Sequence, residues 1–112
     1  MKINKITKIL EAEILAGKEL RNVEVKVGGG SDLVSDILSF SSPDGILLTG
    51  LTSLQVLYAA DAVDTKVICF VRGKQPLEDL IELAKEKKIV ILKTHLHMFE
   101  SCGRLYKAGL PG

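Results

Sequence analysis

A run of three glycines followed by a serine and an aspartate is the feature of this sequence most suited to chemistry. Residues 28–30 would let the backbone approach a phosphate closely, and Ser31 and Asp32 stand where a helix is expected to begin. The run matches neither the Gly-x-Gly-x-x-Gly motif nor a P-loop, and Asp32 would repel a phosphate unless a metal or a nearby arginine compensated it. Two interpretations stay open: a cradle for a phosphate or nucleotide, and a strand-to-helix turn capped by Ser31 or Asp32.

Three further loops follow predicted buried strands. The carboxyl ends of parallel strands share one edge of a sheet, and ligands bind outside that edge. The loops offer hydroxyl groups, backbone N–H groups and one guanidinium, which suit a nucleotide or another small anion; no cofactor is predicted. The candidate ligand-binding residues are Gly28, Gly29, Gly30, Ser31, Asp32, Thr49, Gly50, Thr52, Arg72 and Thr94.

Two clusters carry metal-binding side chains without the spacing of a metal site. Asp32 and Asp36 lie four residues apart on one predicted helix face, but acidic residues in a first helical turn are expected from the helix dipole alone. His95 and His97 fall at a predicted helix start, where residues two apart point about 200° apart. We predict no metal site and no catalytic residue, and keep a metal-dependent enzyme built on these residues as an alternative.

Short apolar runs predict the strands that would position these residues. Residues 13–16 are expected to be a brief extended piece. Val23, Val25 and Val27 alternate with charged residues, which predicts a half-buried strand near a sheet edge, ended by the glycines. Three apolar runs predict buried strands at residues 46–48, 66–71 and 89–92.

Amphipathic segments between the strands predict helices. Alternation of short strands with such helices implies parallel pairing through right-handed crossovers. The predicted fold class is α/β, a three-layer α/β/α domain with a mainly parallel sheet, spanning residues 1–112 as a single domain. The predicted helices cover residues 3–10; a segment beginning at Ser31 or Asp32; Ser53 to Val63; a segment beginning at Pro76 whose apolar stripe includes Leu77; and a segment beginning at Thr94 or His95, with Met98, Phe99, Cys102, Leu105 and Tyr106 facing inward.

The helix predicted from Ser53 to Val63 is apolar almost all round. A helix on the outside of a small domain should carry one polar face. Either this helix is unusually well covered, or its outer face meets a partner. The second alternative predicts a homodimer with a two-fold interface.

Composition excludes several classes of partner. The chain has 112 residues and a formal net charge of +1, which gives no electrostatic reason to expect nucleic acid or an anionic membrane. Its longest uncharged run falls short of a membrane span. Cys69 and Cys102 are too few for a disulfide framework and are expected to be buried thiols. We therefore expect a cytoplasmic protein.

A resemblance to DRTGG domains extends over nearly the whole chain and is carried by three stretches. They are residues 25–36, which contain the glycine run; residues 6–17; and residues 99–110, which contain Gly103-Arg104-Leu105-Tyr106. Arg21-Asn22 occupies the region of the Asp-Arg pair that gives the family its name, so no role is carried over to an acidic residue there.

The resemblance implies a domain similar to the N-terminal domain of HPr kinase/phosphorylase, in proteins whose catalysis belongs to other domains. With the loops at the carboxyl edge and the apolar helix from Ser53 to Val63, this leads to the hypothesis of a non-catalytic regulatory module that senses a ligand and dimerises, rather than an enzyme. The alternative is an accessory protein that docks onto a kinase or a hydrogenase-type redox enzyme.

Overall fold

The computed structural model describes residues 1–40 and 42–112. The elements in chain order are helix α1 (Ile3–Leu10), strand β1 (Glu13–Ala16), a 3-10 turn (Lys18–Leu20), β2 (Val27–Gly30), α2 (Val34–Ser39), β3 (Gly45–Thr49), α3 (Leu54–Ala62), β4 (Val67–Phe70), α4 (Glu78–Lys87), β5 (Val90–Lys93) and α5 (Met98–Lys107).

The strands form one sheet in the order β1-β5-β4-β3-β2. β2 to β5 are parallel, and β1 pairs antiparallel with β5. Each of the three crossovers from β2 to β5 places the new strand next to the preceding one, always in the same direction across the sheet. Right-handed crossovers that all move in the same direction place their helices on the same face of the sheet. α2, α3 and α4 accordingly share a face, while α1 and α5 cover the other. The predicted three-layer α/β/α fold with a mainly parallel sheet is confirmed.

The core consists of two apolar layers that sandwich the sheet. Successive residues of a strand point to opposite faces. Leu47 and Ile68 accordingly pack under α2 to α4, whereas Leu48 and Cys69 pack under α1 and α5. Because both faces are covered, the central strands are apolar runs, which is why the sequence predicted them well. Within the described residues, no helix is both long enough and apolar enough to cross a bilayer.

The strand expected over Val23 to Val27 is displaced toward the glycines. β2 begins at Val27 and consists otherwise of residues 28–30, so the prediction that the glycines end the strand as a turn is wrong. The earlier residues instead pair with the chain's first residues, through a bridge between Lys2 and Glu24. The predicted edge position is confirmed, since β2 is the last strand of the sheet.

Close packing explains why glycines occupy the edge strand. A Cβ atom at Gly29 would lie 2.9 Å from the ring of Phe40, and one at Gly30 would lie 2.9 Å from the sulfur of Met98. Neighbours from both layers therefore approach the β2 backbone so closely that a Cβ atom at either position would force the neighbour to shift. This tertiary requirement outweighs the low preference of glycine for strands.

Three helices begin later than predicted, and before two of them a hydroxyl side chain forms a local turn with the backbone. The observed helices begin at Val34, Glu78 and Met98, rather than at Ser31 or Asp32, at Pro76, and at Thr94 or His95. Ser31 accepts a hydrogen bond from the N–H of Leu33 (3.1 Å), and Thr94 accepts one from the N–H of Leu96 (3.2 Å). Such local bonds compete with the helix for the same N–H groups.

Several apolar side chains expected inside are exposed. Phe99 and Tyr106 of α5 are 91 % and 74 % exposed, and Leu77 before α4 is 67 % exposed. Met98 and Leu105 do face the core. α3 is apolar because it lies between α2 and α4, so that its flanks are covered as well as its inner face.

Candidate ligand site at the carboxyl edge of the sheet

The structure brings together four of the predicted site residues at the carboxyl edge. Asp32 follows β2, Thr49 is the last residue of β3 with Gly50 directly after it, and Arg72 follows β4. One carboxylate oxygen of Asp32 accepts hydrogen bonds from the Gly50 N–H (2.6 Å) and the Thr49 hydroxyl (3.3 Å). The other lies 3.9 Å from Nη2 of Arg72. The cluster is a carboxylate held by an amide, a hydroxyl and a guanidinium, the donors that would bind a ligand anion.

Burial differs sharply among the members of this cluster. Thr49 is fully buried, so its hydroxyl is fixed in place and out of reach of solvent. The side chains of Asp32 and Arg72 are about half exposed, at 48 % and 44 %. Their ion pair is therefore screened by water and is readily exchanged for another partner.

The backbone around Arg72 is held in an unusual conformation. Arg72 and Gly73 have positive φ angles of +60° and +66°. The N–H of Lys74 donates to the carbonyl of Val71 (3.2 Å), which completes a turn of the type I′ pattern. The guanidinium lies against Gly50, where a Cβ atom would collide with it. A side chain at position 50 would therefore displace the guanidinium of Arg72 from its present place.

Hydrogen bonds close the crevice expected in a sheet of this topology. α4, which follows β4, packs on one face of the sheet, whereas α5, which follows β5, packs on the other. When the connections after two neighbouring strands go to opposite faces, a crevice opens between the ends of those strands. Here the N–H of Arg72 donates to the carbonyl of Leu96 (2.8 Å), and the N–H of Gly73 donates to the carbonyl of Thr94 (2.8 Å). The open part of the edge therefore lies over β2 to β4, beside Asp32 and Arg72.

The hydroxyls of Thr94 and Ser31 are bonded within the fold. The Thr94 hydroxyl is buried and donates to the carbonyl of Leu10 (2.5 Å), the last residue of α1. The Ser31 hydroxyl donates to a carboxylate oxygen of Asp36 (3.2 Å). Thr52 is half-buried in the loop between β3 and α3. Because its hydroxyl is bonded to Leu10, Thr94 lies outside the cluster around Asp32.

The proposed metal ligands are not gathered into a site. Asp32 precedes α2 instead of sharing a helix face with Asp36. Nε2 of His95 lies 3.7 Å from a carboxylate oxygen of Glu11. Among residues 1–40 and 42–112, no group of three or more His, Cys, Asp or Glu side chains is arranged to hold a metal ion.

Residues 28–30 line a groove that the sequence did not predict. The groove has a volume of about 380 Å³ and lies between β2, α5 and residues 110–112. It was missed because Phe99 and Tyr106 were expected to face inward with the other apolar residues of α5. At 100° per residue, Phe99 lies about 100° around the helix from Met98, and Tyr106 lies about 100° from Leu105. This difference in direction was the signal available in the sequence.

No protein-family model matches the chain, and no curated protein matches it. Among solved structures, it is similar to the CBS and DRTGG domains of the regulatory region of Clostridium perfringens pyrophosphatase, solved in complex with the activator diadenosine tetraphosphate. The TM-score is 0.78 at 20 % sequence identity, over 98 % of this chain and 47 % of the pyrophosphatase chain. The likeness shows that this chain shares the fold of that region. This chain spans about half the length of that regulatory region.

Proposed function

We propose that this chain is a non-catalytic regulatory module that senses a nucleotide or another small anion at the carboxyl edge of its sheet. The observation that carries the proposal is the Asp32 carboxylate, bound to the Gly50 N–H at 2.6 Å beside the Arg72 guanidinium. A ligand phosphate would take the same donors. The fold likeness to a regulatory region solved with a nucleotide activator supports this ligand class.

Ligand sensing would proceed by exchange of one anion for another. A phosphate that binds the Gly50 N–H and the Arg72 guanidinium displaces the carboxylate of Asp32. Asp32 connects β2 to α2, and its carboxylate is the side-chain link from that connection to the end of β3. Release of Asp32 frees the start of α2 to move, which converts occupancy of the site into a change of surface.

A regulatory role accounts for the site better than catalysis. Thr49 and Thr94 are fully buried, so neither hydroxyl reaches a bound substrate. The exposed groups of the cluster are a carboxylate and a guanidinium already paired with each other. The resemblance to the N-terminal domain of HPr kinase/phosphorylase supports the same role, since catalysis there belongs to another domain.

A thermal-shift screen against adenine and guanine nucleotides, with and without Mg²⁺, tests this proposal. A ligand at a hundred times its dissociation constant adds about 2.7 kcal/mol to the free energy of unfolding, which raises the Tm of a domain this size by several degrees. We expect the shift to be lost in Arg72→Gln and kept in Lys74→Gln, which removes a positive charge from the same turn.

A flat screen with every nucleotide would exclude a nucleotide as the ligand of this site. A shift that is equal in the Arg72→Gln and Lys74→Gln variants would show that the ligand binds elsewhere. Hydrolysis of a nucleotide that depends on added metal would favour the metal-dependent enzyme instead.

We further propose that the module dimerises through the outer face of α3. Tyr58 on this helix is 53 % exposed, and Leu38 on the neighbouring α2 is 49 % exposed. The two line a shallow depression of about 330 Å³ together with Val34, Gln55 and Ala59. Two copies related by a two-fold axis would cover this patch mutually.

Sedimentation over a range of concentrations tests the dimer. We expect Tyr58→Glu to give monomers, and Leu77→Glu, at an exposed leucine on another part of the surface, to leave the dimer intact. If the wild-type protein is monomeric at every concentration, the dimer is excluded. The same patch would then be the docking surface of an accessory protein for a kinase or a hydrogenase-type redox enzyme.

A further inference from the structure

The groove between β2 and α5 differs in chemistry from the charged carboxyl edge. None of the side chains that line it carries a charge. One wall is the glycine backbone of β2, and the other is the outer side of α5 with Phe99, Cys102, Gly103 and Tyr106. A volume of about 380 Å³ accommodates a group the size of a nucleoside rather than a protein element.

Gly30 supplies a polar edge to this otherwise apolar groove. The N–H of Ser31 donates to Leu48 of β3 (3.0 Å), whereas the N–H of Gly28 points the other way and donates to Pro111 (2.8 Å). Since backbone groups alternate along a strand, the N–H and C=O of Gly30 both point away from β3. One donor and one acceptor thus stand side by side at the open edge of the sheet, where Gly30 is exposed.

Two aromatic rings flank the same opening. Phe99 and Tyr106 are 91 % and 74 % exposed and lie seven residues, or two helical turns, apart on α5. Gly103 lies between them, and a Cβ atom there would meet nothing within 4 Å, so the floor between the rings is open. Exposed aromatic rings beside an open floor are the arrangement on which a planar heteroaromatic ring stacks.

We propose that the groove binds the base of a nucleoside, with the hydrogen-bonding edge of the base against Gly30 and its face against Phe99 or Tyr106. Purines carry neighbouring donor and acceptor atoms on one edge, which complement the N–H and C=O of one residue. The inference rests on the proposed function. It assigns the base of the nucleotide to the groove and its phosphate to the carboxyl edge of the sheet. Gly30 lies only two residues from Asp32, about 7 Å of extended backbone, so a nucleotide whose base lies in the groove directs its phosphate toward Arg72.

Titration of ¹⁵N-labelled protein with adenosine, guanosine and their triphosphates tests the proposal. A nucleoside lacks the phosphate, so its binding reports on the groove alone. We expect adenosine or guanosine to shift the amide resonances of Gly30, Cys102 and Tyr106 without Mg²⁺. Loss of one stacking ring in Phe99→Ala or Tyr106→Ala should weaken that binding about tenfold. Leu77→Ala, which removes an exposed apolar side chain before α4 in the opposite layer, should leave nucleoside binding unchanged.

Three results would overturn the inference, and they are distinguishable. If triphosphates shift Gly50 and Arg72 while nucleosides shift nothing, the groove is excluded and the proposed function stands. If neither class shifts any resonance, both are excluded. If Phe99→Ala and Tyr106→Ala change the sedimentation of the protein but not nucleoside binding, a second copy of the chain covers the groove.

Discussion

At the scale of single residues, the glycines of this chain have opposite energetic roles. A Cβ atom at Gly29 would lie 2.9 Å from the Phe40 ring, whereas one at Gly103 would meet nothing within 4 Å. Gly29→Ala should therefore lower the free energy of unfolding by about 1–3 kcal/mol through overpacking. Gly103→Ala, inside an exposed stretch of α5, should raise it by about 1 kcal/mol because alanine favours the helix. Chemical denaturation of both variants checks this; equal effects would contradict the packing argument.

Two buried hydroxyls provide a second contrast. The Thr94 hydroxyl donates to the carbonyl of Leu10, while the Ser101 hydroxyl is buried and has no hydrogen-bond partner among the described residues. Thr94→Val should cost about 1–3 kcal/mol of unfolding free energy, because it leaves the Leu10 carbonyl unpaired. Ser101→Ala should be neutral or stabilising by up to about 1 kcal/mol, because no bond is lost. Thermal unfolding of the two variants tests this contrast. A strongly destabilised Ser101→Ala variant would show that the Ser101 hydroxyl does have a stabilising partner.

The two thiols should differ in reactivity. Burial raises the pKa of Cys69 from 9.0 to about 12, and burial also raises the pKa of the half-buried Cys102. A raised pKa leaves less thiolate at a given pH, so the labelling rate should increase as the pH rises. Dithionitrobenzoate should label one equivalent slowly in the folded protein and the second only in denaturant. Cys102→Ser should abolish the slow labelling of the folded protein. Labelling of two equivalents in the folded wild-type protein would contradict the burial of Cys69.

At the scale of elements, one arginine joins the two helices of the α1–α5 layer. Arg104 of α5 donates to the carboxylates of Glu100 (2.7 Å) and Glu11 (2.9 Å), and to the carbonyl of Ile9 near the end of α1 (3.2 Å). The hydrogen bonds to Glu100 and then Glu11 raise the pKa of Arg104. The side chain therefore neutralises two acidic groups and pairs with a helix-terminal carbonyl simultaneously.

Arg104→Gln should lower the Tm, and the difference from wild type should shrink in high salt because part of the effect is screened. Arg104→Lys should recover only part of the Tm lost in Arg104→Gln, because an ammonium group lacks the planar guanidinium that reaches several acceptors at once. Lys107→Gln, one turn further along α5, is the matched control. An equal loss in the Arg104→Gln and Lys107→Gln variants would show that general charge, not this contact, matters.

The sequence predicted β3, β4 and β5 closely because burial on both faces makes each a continuous apolar run. The sequence misplaced β2 because glycines do not indicate a strand. The reason for them lies in tertiary packing, in the close approach of Phe40 and Met98. At the site, the sequence predicted that Asp32 and Arg72 would lie at one edge. It could not predict that Asp32 binds the Gly50 N–H, since that bond depends on how the crossovers place two loops.

At the scale of the whole molecule, three crossovers in one direction leave the two layers unequal. α2, α3 and α4 cover one face, whereas α1 and α5 cover the other and leave the groove beside β2. The exposed pair Leu38 and Tyr58 belongs to the first layer, and the exposed pair Phe99 and Tyr106 to the second. Self-association and nucleoside binding are therefore proposed for opposite faces, so that one need not block the other.

Both ends of the described chain lie against the same short segment. The N–H of Val25 donates to the carbonyl of Met1 (2.7 Å), and the N–H of Gly28 donates to the carbonyl of Pro111 (2.8 Å). Val25 and Gly28 are three residues apart, about 10 Å of extended backbone. A short glycine-serine linker could therefore join residue 112 to residue 1, and a circular permutant opened between the exposed Lys74 and Gln75 should fold.

Circular dichroism and a cooperative melt of that permutant check the expectation, and a molten, non-cooperative product would contradict it. The same proximity means that the domain can be spliced into a surface loop of a host protein without separating the two sides of that loop. A conformational change at Asp32 would then reach the host through a junction only a few residues from β2.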